Sequence, residues 1–166
     1  MPEPIWRKVV TEKQVPEEPG IPWTLVLEYL TPGKLMKIEV VVDAARAPDP
    51  VTGTWTPQDF TAACTADGDV KGTAQGNRQQ QGTPFLPSAS IGALIARIGG
   101  STADTTLDAG TPAGTNPLRM GFAAGRTCVF SVPQMPLGAL FMGVNDDMKR
   151  MAGLQGWLLV NVYEGL

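Results

Sequence analysis

Apolar and polar residues alternate along this chain in short runs, and each run is closed by glycine or proline. WTLVLEYL (23–30) is the first strong one, followed by a TPG turn at 31–33 with proline at its second position. LMKIEVVVDA (35–44) sets Met36, Ile38, Val40 and Val42 on one face and Leu35, Lys37, Glu39 and Val41 on the other, which predicts a half-buried strand. LRMGFAAG (118–125), RTCVFSVP (126–133), LGALFMGVN (137–145) and WLLVNVYE (157–164) repeat the pattern, and FTAACTA (60–66) predicts one more strand. SIGALIARIGG (90–100) is ambiguous. Ile91, Leu94, Ile95 and Ile98 fit helical spacing, while Gly92, Gly99 and Gly100 favour a short buried strand. About eight short strands with turn signals between them predict an all-β chain, a jelly-roll-like antiparallel sandwich of two sheets. No internal repeat is visible.

Residues 1–22 contain five prolines (Pro2, Pro4, Pro16, Pro19 and Pro22), so they predict an extended arm ahead of a 23–166 domain, with WRKVVTE as a short edge strand. Ordering such an arm costs about 1–2 kcal/mol per residue in backbone entropy. Ile5, Trp6, Val9 and Val10 are the groups whose burial, against the body or a partner, would hold it. The 45–90 stretch, with PDPVTG, TADGD and GNRQQQGTP, is a long loop of the kind that is functional or mobile.

Composition narrows the function. The chain has 166 residues, enough for one domain, with 43% hydrophobic residues and a net charge of -3, which excludes wholesale disorder. No basic patch invites nucleic acid. No run of about 18 apolar residues predicts membrane insertion. MPEPIWRKVV lacks the apolar core of a secretory signal, so the expectation is a cytoplasmic protein or one released without an N-terminal signal. Cys64 and Cys128 lie in strand-like runs and read as buried thiols, with a disulfide left open. There is no histidine, which removes Ser-His and Cys-His nucleophiles and histidine-based zinc sites. The acid pairs Asp146-Asp147 and Asp67-Asp69 sit in glycine-rich loops and read as turn residues, not as a catalytic pair. The chain is therefore not expected to be an enzyme. Trp23, Trp55 and Trp157 read as plugs for the sandwich ends. Trp55, in the polar stretch TGTWTPQD, is the one that would stack on a sugar.

The order of pieces resembles a known family. YLTPGKLMKIEV, a long loop with ADGD, GALIARIGG, GALFMGVNDD and GWLLVNVYE together resemble the calcium-dependent galactose lectins of bacteria of the LecA (PA-IL) type, over residues 20–164. The resemblance implies a lectin-like sandwich that forms homo-oligomers and binds sugar through calcium. That ion takes six to eight oxygens. The family supplies an Asp matching Asp146, a carbonyl four residues on, two Asn side chains seven and eight residues on, and a carbonyl from the loop after the second strand. Here the fourth position is Arg150, and the seventh and eighth are Gly153 and Leu154, which bring no side-chain oxygen. Gly156 keeps the register. The family's His-Pro-x-Gln sugar segment is missing, and Gln80 of the Gln79–Gln81 run is the nearest substitute. The metal site thus reads as a vestige, Asn145 and Asp146, holding no cofactor, with calcium as the lesser alternative.

Two functions follow as expectations. The first is a non-catalytic lectin-fold module, a structural or accessory subunit of a larger assembly. Its protein partners, or further copies of itself, would meet the arm and the long loops. The alternative is a carbohydrate-binding protein with reduced or no calcium dependence, using Trp55, Gln80, Asp146 and Asp147 on a glycan.

Overall fold

The computed structural model describes residues 5–72, 74, 84–86, 88–99, 121–134 and 138–166. Ten strands build it: β1 (Trp6–Val15), β2 (Thr24–Leu27), β3 (Leu35–Val40), β4 (Thr54–Trp55), β5 (Cys64–Thr65), β6 (Leu94–Ile98), β7 (Gly121–Ala123), β8 (Thr127–Ser131), β9 (Leu140–Val144) and β10 (Leu158–Gly165). Among the described residues, one 3-10 helix, Met148–Gly153, lies between β9 and β10. The first sheet has the order β1-β10-β3-β8 and the second β2-β9-β6-β7, all pairs antiparallel, with β4-β5 as a small ribbon. The fold is an all-β sandwich, as the alternating pattern predicts. Among the described residues, no helix is long and apolar enough to cross a membrane.

The alternation becomes burial. In β3, Met36, Ile38 and Val40 turn inward; in β10, Leu158, Val160 and Val162 do the same. They join Leu94, Leu140 and Met142 of the second sheet in one apolar cluster. β6 and β9 are buried along their whole length, so GALIARIGG settles as a central strand, not a helical turn. Gly143 in β9 has a steric cause: a Cβ there would overlap the carbonyl oxygen of Pro22.

The boundary expected at residue 22 does not divide the fold. β1 pairs with β10 from Trp6↔Gly165 to Val15↔Leu158. The Leu166 N–H donates to the Ile5 carbonyl at 2.9 Å. Val15 is fully buried, and Val9 and Val10 pack against the core. The arm is an edge strand of the first sheet, held by its own body.

Candidate functional site

The loop from Asn145 to Gly156 is built from its buried amide outward. Asn145 is fully buried. Its Oδ1 accepts from the Leu86 N–H at 2.8 Å, and its Nδ2 donates to the carbonyls of Leu86, Ala89 and Ser90 at 2.9, 3.1 and 3.1 Å. The side chain staples the 86–90 turn to the end of β9. Asp146 is also buried, and its Oδ1 accepts from the Asp147 N–H at 2.7 Å. Asp147 Oδ1 accepts from the Lys149 N–H at 2.9 Å and caps the 3-10 helix, with Met151 as that helix's buried anchor.

Calcium does not fit these residues. Asn145 has its amide turned into the protein. A Cβ on Gly153 would lie 2.6 Å from Gln58 Cγ and Oε1, so an asparagine ligand there would collide with Gln58. Leu154 packs on the apolar core. Among the described residues, no three of His, Cys, Asp or Glu converge on a point that would hold a metal ion.

Trp55 does not serve as a sugar platform. It is 1% exposed, and its Nε1 donates to the Gly92 carbonyl at 2.7 Å. The loop composition was polar, but the two-residue strand β4 turns this side chain into the core. Cys64, paired with Trp55 across β4-β5, shares that environment. Burial, with Asp69 and Asp146 nearby, pushes its thiol up to about 11. Both cysteines are free thiols. Asp67 and Asp69 do not converge: Asp67 holds Arg126 at 2.6 Å, and Asp69 Oδ1 accepts from the Ala74 N–H at 3.2 Å. Gln80 lies outside the described residues. Of the arm residues, Val9 and Val10 are half-buried and pack against the core, while Ile5 is 70% exposed and Trp6 lies under the ammonium of Lys37, 5.1 Å from its ring centre.

Trp157 is an exposed aromatic, at 56% exposure. Gly156 takes φ +84°, which turns the chain so that Leu158 enters the core and Trp157 faces out. Paired bonds between Thr56 and Gln155, at 2.8 and 2.9 Å, fix this corner against β4. Opposite, the 43–51 loop is closed by reciprocal bonds of Asp43 and Val51 at 2.7 and 2.9 Å. Between them lies a cleft of about 370 Å³. Trp157, Val51 and Leu159 give it apolar walls, and Arg46, Asp49, Thr52 and Thr54 give it polar groups. That is within the usual size and mix of small-molecule sites, roughly 300–1,000 Å³. The signal for Trp157 was in its parity: Leu158, Val160 and Val162 point inward, so Trp157 and Leu159 must point outward.

No protein-family model matches the chain, and neither does any curated protein.

Proposed function

We propose that this chain is a non-catalytic binding module of lectin-like sandwich form, and that its working surface is the Trp157 cleft, which takes a saccharide without calcium. One observation carries the reading: in this cleft an open aromatic ring stands with hydroxyl, carboxylate and guanidinium groups. An indole face packs against the C–H face of a sugar ring, while the polar groups meet its hydroxyls.

A second reading, the structural or accessory subunit, is favoured by the outer face of the first sheet. There Val129 is 54% exposed, beside Lys37 with Tyr163 and Trp6 around it. One preparation tests both. A glycan array with chelator present should give hits that Trp157→Ala loses, with the sample running as a single chain. No hits, and a mass of several chains that falls to one on Val129→Glu, would put the accessory reading first.

A further inference from the structure

We propose that the Trp157 cleft selects a saccharide carrying a free ammonium group, an amino sugar, over neutral and acidic ones. The inference rests on the saccharide reading above and adds the ligand's charge.

The one cation in the lining is already neutralised. Arg46 Nη1 donates to Glu12 Oε1 at 2.5 Å, and its Nε lies 3.5 Å from Asp43 Oδ2. The bond to Glu12 and the nearby Asp43 hold its pKa above the ordinary arginine value. Asp49, on the same wall, makes no ion pair among the described residues. Asp49 is the one carboxylate in the lining, and Glu12 and Asp43 sit on the guanidinium of Arg46, so the group of three acids and one cation is net negative. An ammonium over an indole face, with a carboxylate beside it, is attracted by both. The Thr52 and Thr54 hydroxyls, 2.8 Å apart, keep capacity for ligand hydroxyls after bonding each other. An acidic sugar would meet the surplus carboxylates as like charge.

The clamp on Arg46 is built into β1. Its register with β10 shifts between Val10 and Lys13. There Glu12 takes φ 47°, in the left-handed region that a glutamate seldom occupies. Its N–H donates to Oδ1 of the buried Asn161 at 2.7 Å, which fixes the bulge. The bulge turns the Glu12 carboxylate onto Arg46, so the guanidinium faces its own acid instead of the ligand's ammonium. Backbone strain that aims a side chain is a mark of a functional position.

The test is calorimetry at about pH 6, where an aliphatic amine is protonated and an aspartate ionised. The ligands are a glucosamine oligosaccharide, its N-acetylated counterpart of the same length, and tetramethylammonium chloride. The free amine form should bind at least about tenfold tighter than the acetylated one, and about 0.5 M salt should shrink that gap. Asp49→Asn should close the gap, and Trp157→Ala should weaken both sugars. Equal binding of the two oligosaccharides overturns the charge selection and leaves the saccharide reading standing. Binding of tetramethylammonium with neither sugar bound overturns the saccharide reading and this proposal with it.

Discussion

Asn145 and Trp55 carry their side chains inward from stretches of polar sequence. Residue type named the capacity of Asn145, an amide with two donors and an acceptor, but not its direction. The same amide that would help hold a cation instead bonds four backbone groups of the 86–90 turn. Asn145→Ala should therefore cost at least about 2 kcal/mol, because buried carbonyls left unpaired cost about 1–3 kcal/mol each. A urea titration with a lowered midpoint and an unchanged slope checks this. Trp55 and Trp157 exchange the places expected of them for a local reason. Trp55 has a buried carbonyl, Gly92, for its indole N–H, whereas Trp157 follows the glycine that reverses the chain. Composition around a tryptophan says less than its parity in the strand and the partner for its N–H.

Elements were legible where one face is buried. β3 and β10 follow their alternation closely, and β8 was visible between its glycine and proline stops. The ambiguous GALIARIGG became β6 because β9 and β7 supply ladder bonds on both sides, a fact of topology that no local pattern contains. Its Arg97, fully buried and 4.4 Å from the ring of Trp23, had no sequence signal at all. β1 contains the edge strand expected at WRKVVTE, but it runs on to Val15 and pairs along β10. Prolines suggested an arm, but those at Pro16, Pro19 and Pro22 fall after the strand, and β1 itself has free N–H groups for β10. Removing residues 1–15 should strip Val9, Val10 and Val15 from the core. Fully burying a valine is worth roughly 1.5–3 kcal/mol, so losing buried Val15, a part of that for half-buried Val9 and Val10, and the β1-β10 ladder removes a large share of the stability of a domain. The truncated chain should show no cooperative melting transition by circular dichroism. A sharp transition near that of the full chain would mean that β1 is only an appendage.

For the whole molecule, the test of the 145–156 loop is global stability. A ligand that binds only the native state at a hundred times its Kd adds about 2.7 kcal/mol, a rise of several degrees in a domain of this size. Millimolar calcium should leave the melting temperature unchanged, and chelator should leave it unchanged as well. A calcium-dependent rise, lost in Asp146→Ala, would restore the loop as a metal centre. The sequence by itself determined the all-β class, the strands whose alternation is plain, such as β3 and β10, and the absence of histidine chemistry. Those depend on local period, turn residues and composition, which a chain carries without its fold. The tertiary structure decided which polar residues turn inward, that the arm is a strand, and where an open aromatic meets acids. Each of these needs contacts between segments distant in the chain: Asn145 with 86–90, Trp6–Val15 with Leu158–Gly165, and Glu12 with Arg46. Loop closure brings such groups together only when the core forms, so no window of sequence contains them.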